Sequence, residues 1–481
     1  MSTSALNSAG GPCPTKTYNC LQTVADVCAL LGYSNFMRHK KYVRLYPPVS
    51  DFSKLSPDRL YNKSKPWLKR LVLWGLPVAL LLFIMVSCGG GGGTASTTDS
   101  NATNTSVVPG SGSPPANVQA AGPLTVTEVA SGLANPWGMA FLPGGSVLVT
   151  ERGGSLRIVS PQGTVSKPVS GVPDVDSRGQ GGLLDVVLDP AFATNQRIYF
   201  SFAKRDTSGA NSTAVARAEL NISTLALSNV KVIFEQSPKV VSNGHFGSRL
   251  VFDKNGFLFV TLGDRQTSEQ LGFAQDLTRG NGKVMRITTD GAAAPGNPTF
   301  NAAGAQPGIW SYGHRNPQGA ALNATTGELW VNEHGSQGGD ELNLVLAGKN
   351  YGWPLASYSQ EYGSTTPIGT TSLPGMVQPV SYWLTRDGSP FKGGSQSSIA
   401  PSGMAIYTGD RFPEFKDNLF IGALAGTALW RVVLGGSDGK TEVFRERLLA
   451  DRYGRIRDVR MGPDGWIYLL NDNGMLLRVS K

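Results

Sequence analysis

One pattern recurs six times after Pro123 in this 481-residue chain: a small residue, an apolar run, a turn built on Gly or Asp, and a β-branched run. The copies begin at Gly138, Gly182, Ser248, Gly319, Ser402 and Ile456. Each supplies short alternating strands around turns such as Pro143-Gly144-Gly145 or Pro463-Asp464-Gly465, and repeats of this size with four strands each are the mark of propeller blades. The chain is therefore predicted to be all-β, a six-bladed β-propeller over residues 123–481. A pair of β-sandwiches is the alternative, but the constant phase of the copies favours radial repetition. Insertions make the spacing uneven. The longest, residues 263–310 and 354–400, are expected on one face, where loops would build a site.

Three segments precede the repeats. Residues 1–62 form a leader longer than a signal needs; Met37 or a later non-Met codon is an alternative start, and no fold is read from them. Residues 63–88 hold an uncharged apolar run at 71–86, preceded by Lys63, Lys65, Lys69 and Arg70. A basic flank, an apolar stretch and small residues at the cut describe a secretory signal. Met85-Val86-Ser87-Cys88 is an imperfect lipobox, so Cys88 is a candidate lipidation site. An uncleaved membrane anchor is the alternative, because the run is near the lower length for a span. On either reading the domain is exported, and a lipid anchor would hold it to the membrane, on the periplasmic face in a Gram-negative cell. Residues 89–122 are Gly, Ser, Thr, Asn and Pro with almost no large apolar side chain, which predicts a flexible tether.

The formal charge of +9 belongs to the leader. Residues 1–88 carry 11 Lys or Arg against 3 Asp or Glu, and the remainder carries 32 against 31. The propeller region is near neutral, so no basic field argues for a nucleic-acid partner. All four cysteines (Cys13, Cys20, Cys28, Cys88) also lie in the leader. The domain must hold together without disulfides, although an exported compartment would permit them.

Residues 313–354 concentrate the chemistry. Arg315 offers a planar fork suited to carboxylates. Glu341 and Tyr351 are oxygen ligands beside glycine turns, the setting a hard cation such as calcium uses. Gly338-Gly339-Asp340-Glu341 lets backbone carbonyls point inward at low steric cost. The histidines of the propeller region are His245, His314 and His334, all in glycine-rich loops. His245 opens an inner strand and can face the central channel. His314 and His334 are not spaced as a zinc set and read as hydrogen-bonding loop residues.

GHRNPQG at Gly313, GGDELN at Gly338 and KNYGWP at Lys349 closely resemble motifs of the soluble quinoprotein sugar dehydrogenases. These are the PQQ-dependent glucose and aldose dehydrogenases, grouped with sorbosone dehydrogenase-like proteins. The resemblance runs from about Leu133 to the C-terminus and implies the same propeller. It further implies that His245 is the general base, taking the C1 hydroxyl proton of an aldose while hydride leaves for the quinone. Arg315, Asn316, Arg455 and Arg457 would contact PQQ, whose three carboxylates call for cations. Arg455 and Arg457 stand at alternate positions of one expected strand and so share a face. Gln180 would lie near quinone and substrate, Tyr362 against the cofactor, and Ala423 and Leu424 beside it. Calcium would be held by Glu341 and the Tyr351 carbonyl, or, as in the glucose-type branch, by carbonyls at Gly335 and Ser336. Two positions depart from the pattern. Gly244 replaces the acidic residue that precedes the histidine in the glucose enzymes, and Ala425 replaces a frequent lysine.

The leading expectation is thus an exported enzyme that oxidises an aldose to its lactone with PQQ and calcium, passing electrons to a separate cytochrome or quinone. Two other classes stay open. A non-catalytic binding propeller fits Ala425. A calcium-dependent lactonase would want several acidic side chains in the channel, where arginines are seen instead.

Overall fold

The computed structural model describes residues 113–266 and 272–481. The leader, the apolar segment with Cys88, and residues 89–112 of the expected tether lie outside the described residues.

Six antiparallel sheets stand around one axis. Blade one is β2 (Pro136–Phe141), β3 (Val147–Glu151) and β4 (Ser155–Val159). Blade two is β5 (Leu183–Leu188), β6 (Arg197–Arg205), β7 (Asn211–Asn221) and β8 (Ala226–Glu235). Blade three is β9 (Gly247–Phe252), β10 (Leu258–Leu262), β11 (Lys283–Ile287) and β12 (Ile309–Tyr312). Blade four is β13 (Pro317–Leu322), β14 (Leu329–Glu333), β15 (Asp340–Val345) and β16 (Ser381–Trp383). Blade five is β17 (Pro401–Ile406), β18 (Leu419–Ala423), β19 (Ala428–Gly435) and β20 (Thr441–Leu448). Blade six is β21 (Ile456–Met461), β22 (Ile467–Asn471) and β23 (Leu476–Ser480), completed by β1 (Thr125–Ala130). Thr125 pairs with Ser480, so both ends of the domain share one sheet and the ring is locked by backbone hydrogen bonds.

The inner strands β2, β5, β9, β13, β17 and β21 each touch the next, and β21 returns to β2. The core is divided accordingly. Six large apolar clusters each fill one seam between neighbouring blades, as where Tyr199 and Val215 of blade two meet Leu250, Leu258 and Val260 of blade three. A blade's second strand is therefore covered on both faces. β3, β10, β14 and β18 are buried along their whole length rather than alternating as expected, because a blade packs between two neighbours.

Each inner strand carries a bulge near its start. A bulge leaves a backbone N–H without its ladder partner. In three blades a hydroxyl of the second strand accepts it: Gly138 N–H to Thr150, Asp185 N–H to Ser201 and Arg249 N–H to Thr261, at 2.9–3.0 Å.

The channel is closed by charge. Arg249 pairs with Asp185 and Asp458 at 3.0 Å, and Arg460 pairs with the same two carboxylates at 2.9 and 3.1 Å. Arg249 also donates to the carbonyls of Gln318 and Arg457 and lies 4.1 Å over the Trp137 ring. It thus reaches four inner strands besides its own. Gly138 and Gly403 occupy the matching third positions of β2 and β17, where a Cβ would run into Asp185 and Asp458. This plug forms the floor beneath the site.

The first long insertion does not stay on one face. β11 splits residues 263–310, so 263–266 and 272–282 lie at the end where the inner strands begin and 288–308 at the other, since hairpin connections alternate ends. The stretch after β15 starts at the far end, but it bridges to Tyr312 through Asn350 and climbs to the site. Of the expected tether, residues 113–122 fall among the described ones. The Gln119 carbonyl accepts from Arg431 at 2.8 Å, and the Ala121 N–H donates to Glu446 at 3.1 Å, laying this strand-free segment on blade five.

Candidate active site

His245 lies two residues before β9, in the left-handed region at φ 47°. Its ring Nδ1 is 2.7 Å from Asp264 Oδ1. The carboxylate also accepts the Gln266 N–H at 2.8 Å and the Trp353 indole N–H at 2.8 Å. Burial raises the affinity of Asp264 for a proton, but His245 and Arg315 outweigh it and hold the carboxyl below its ordinary value. An ionised carboxylate only accepts, so Nδ1 carries the hydrogen and Nε2 the lone pair. Burial, then the Arg315 charge, lowers the imidazole pKa, which keeps the ring neutral. The His245 N–H donates to Gln180 Oε1 at 2.8 Å, placing Gln180 beside the base. At Gly244 a Cβ would overlap the Gln266 carboxamide. A larger residue there would have to displace the Gln266 side chain, and in this chain Asp264 orients the imidazole.

The cationic side of the site is equally organised. Arg315 spans the carbonyls of His334 and Gly335, meets the Tyr362 hydroxyl at 3.3 Å and stacks 5.0 Å from the Trp353 ring. Its Nε is buried without a partner among the described residues. Asn316 Oδ1 accepts from Gly247 N–H at 3.3 Å, tying this loop to β9. Arg455 precedes β21 rather than sharing it with Arg457, and it is the more exposed of the two. Both still converge on Asp472, at 2.8 and 2.9 Å. Burial pushes the Asp472 carboxyl up, but Arg457 and Arg455 hold it below the usual range. Tyr362 stands 66% exposed at the rim.

Glu341 faces Glu333 across the β14–β15 ladder. Burial, then the Glu333 charge, raises its pKa well above the ordinary value, with only Asn343 as hydrogen-bond relief. A small cavity beside it is lined by Glu333, Gly335, Gly339, Tyr351 and Ser359. The Tyr351 hydroxyl donates to Leu344 O at 2.6 Å, so the residue has only its carbonyl to offer a metal. The Gly335 carbonyl accepts from Arg315, so a cation there would share that oxygen with the guanidinium. Ser336 donates its N–H to Ser359 at 3.1 Å. Asp340, in the same motif, is a knot rather than a ligand. It accepts from Gly335, Ser398, Ile399 and Ala400, and burial lifts its pKa to about 6.

His314 is fully buried between Ser311 and Glu333 and stacks on Tyr351 with centroids 4.6 Å apart. His334 Nε2 donates to the Pro401 carbonyl at 2.6 Å. Burial drives its pKa down to about 3, helped by the nearby Arg315 and Arg457 charges. Its own carbonyl accepts from Arg315, which ties His334 to the cationic side of the site. Leu424 and Ala425 are held by backbone bonds to Ala400 and Ile399, directly beyond Ala423 at the end of β18.

Sequence reasoning missed Asp264, Glu333 and Asp472. A signal for them exists. Each closes the second strand of its blade and grips the loop that enters the inner strand of the same blade. His245 and Asp264 are 19 residues apart, as are His314 and Glu333, while Arg455 and Asp472 are 17 apart. In blade one Glu151 does the same, accepting the Ala134 N–H at 2.7 Å.

The chain matches the Glucose / Sorbosone dehydrogenase family over residues 133–478. It is 44% identical over 353 residues to the aldose sugar dehydrogenase YliI of Escherichia coli K12, covering 72% of this chain and 90% of that one. It is 32% identical over 261 residues to quinoprotein glucose dehydrogenase B of Acinetobacter calcoaceticus, covering 49% and 53%. Among solved structures it superposes on a glucose dehydrogenase with TM-score 0.68 at 46% identity, covering 74% of this chain and 99% of that one. It also superposes on the PQQ-bound aldose sugar dehydrogenase of Streptomyces coelicolor with TM-score 0.59 at 29% identity, covering 76% and 100%. By its six-bladed fold, its motifs and these matches, the chain belongs to the glucose/sorbosone dehydrogenase family.

Proposed function

We propose that this protein oxidises an aldose at C1 to the lactone, using PQQ and calcium. The observation that carries the reading is a neutral imidazole, fixed by Asp264 with Nε2 free, beside a cluster of arginines. The arginines suit an anionic ligand. Arg455 and Arg457 share one carboxylate, Asp472, while Arg315 holds backbone carbonyls and its buried Nε has no partner among the described residues. PQQ, when bound, supplies the two-electron acceptor for the hydride that leaves C1. Arg315, Arg455 and Arg457 would hold its carboxylates, with Asn316, Tyr362, Ala423 and Leu424 alongside. His245 Nε2 accepts the C1 hydroxyl proton and Gln180 orients the sugar. Glu341 and Glu333, buried face to face, would gain from a calcium ion between them and the Tyr351 carbonyl.

The lactonase alternative loses support, because the channel carboxylates Asp185 and Asp458 are committed to Arg249 and Arg460. Export and lipid anchoring at Cys88, and a separate cytochrome or quinone acceptor, complete the proposal. The test is to titrate cofactor-free protein with PQQ and calcium and to follow dye reduction by a panel of aldoses. Activity that needs both additions supports the reading. PQQ binding without turnover favours a binding propeller, and no PQQ binding removes the quinoprotein reading.

A further inference from the structure

Arg152 lies in the turn between β3 and β4 and reaches into the next blade. Its carbonyl accepts the Leu183 N–H at 3.2 Å. Its guanidinium donates through Nε to the Gly181 carbonyl at 3.1 Å and through Nη2 to the Gly179 carbonyl. The residue between those two carbonyls is Gln180. Its N–H donates to Asn243 O at 2.7 Å, and its side chain accepts the His245 N–H. The turn has no slack. Gly179 is at φ 56°, with an added Cβ only 2.6 Å from Asn243 Cβ, and at Gly182 a Cβ would meet the Arg152 backbone. The guanidinium also sits near enough to Asp472 and Arg457 for their charges to act on one another.

We propose that Arg152 is a positioning residue. Its planar fork clamps the two carbonyls that flank Gln180 and so sets where the Gln180 carboxamide stands relative to His245. The proposal rests on the quinoprotein reading, in which Gln180 faces the substrate. A lysine keeps the charge but has no rigid fork to bridge both carbonyls. Arg152 therefore acts through geometry, while Arg455 and Arg457 carry the anion.

The variants are Arg152→Lys and Arg152→Gln, measured in two ways. The first is hydrogen exchange of residues 176–184 in cofactor-free protein, which needs no PQQ. Both variants should lose protection there and keep it in blades four and five. The second is PQQ affinity together with the kcat and KM of the loaded enzyme. Arg152→Lys should bind PQQ within about threefold of the parent while kcat falls at least about tenfold, since small displacements of positioning groups are costly. Unchanged exchange and unchanged kcat in both variants would overturn the proposal. So would a large loss of PQQ affinity with kcat intact, which would make Arg152 a cofactor ligand. If the parent protein binds no PQQ but Arg152→Gln still loses protection at 176–184, the quinoprotein reading fails and the clamp stands.

Discussion

Asp264 Oδ1 sits 2.7 Å from Nδ1 of His245, and that contact decides which imidazole nitrogen is free to take a proton. Asp264→Asn removes the acceptor-only partner and lets the ring adopt the other tautomer. The kcat should fall by about 10²-fold or more, in the range expected for a disabled general base. PQQ affinity should stay within a few-fold, because the Asp264 carboxylate forms no ion pair with an arginine of the cofactor cluster and the backbone bond from Asp264 N–H to the Arg315 carbonyl is kept in the variant. Steady-state kinetics alongside a PQQ titration check both halves.

The pH profile follows from the same pair. The imidazole pKa is lowered, so the basic form persists below the ordinary value near 6.5. The acid limb of kcat/KM should therefore titrate below pH 6.5. Arg315 is a lowering influence and Asp264 a raising one. Arg315→Gln should shift the limb upward, and Asp264→Asn should shift it downward. Rate profiles from pH 4 to 8 would show the two shifts, and equal directions would contradict the electrostatics.

Stability in acid has a second source. The pKa of His334 is depressed to about 3 in the fold, so the unfolded chain binds a proton that the native state refuses. This contribution is complete above pH 6.5 and is lost progressively as pH falls toward 3. Thermal melts should drop steadily across that window. His334→Gln, which can still donate to the Pro401 carbonyl, should flatten the slope.

The channel plug should matter for folding rather than chemistry. Arg249→Met leaves Asp185 and Asp458 to Arg460 alone. Breaking a buried pair in this way costs about 3–5 kcal/mol, because a charge is left uncompensated. A clear fall in melting temperature is expected, measurable without any cofactor. A melt unchanged from the parent would show that the plug relaxes or hydrates.

Calcium should stabilise the protein through Glu341. At about 100 times its dissociation constant a ligand adds about 2.7 kcal/mol, so the melt should rise with calcium and fall with a chelator. Glu341→Gln relieves the carboxylate repulsion and removes a ligand. Its melt should be higher than that of the chelated parent and insensitive to calcium. A calcium response that survives the change would move the ion elsewhere, with Gly335 and Ser336 the next place to look.

Much of this architecture was legible in the chain. The six copies correspond to the six blades, and the resemblance carried by GHRNPQG, GGDELN and KNYGWP is borne out by the family match. What escaped was set by tertiary contact. Strand alternation was expected, but blades packed on both faces make β10 and β14 uniformly buried. Asp264 and Asp472 looked like ordinary strand-end acids, since nothing local shows that a residue 19 or 17 positions upstream folds back onto them. Arg249 drew no reading from the sequence. Only the closed ring reveals that it meets Asp185 and Asp458 from two other blades. Gly244 stood as a departure from the pattern, and the structure shows the Gln266 side chain beside it.

The most direct measurement is a single turnover. PQQ-loaded protein is mixed with excess aldose and the reduction of bound cofactor is followed by absorbance, in the parent and in His245→Gln. If His245 is the base, the variant should bind PQQ as the parent does and reduce it slower by about 10²–10⁴-fold. Reduction at the parent rate by the variant would contradict the central claim and place the proton on another group.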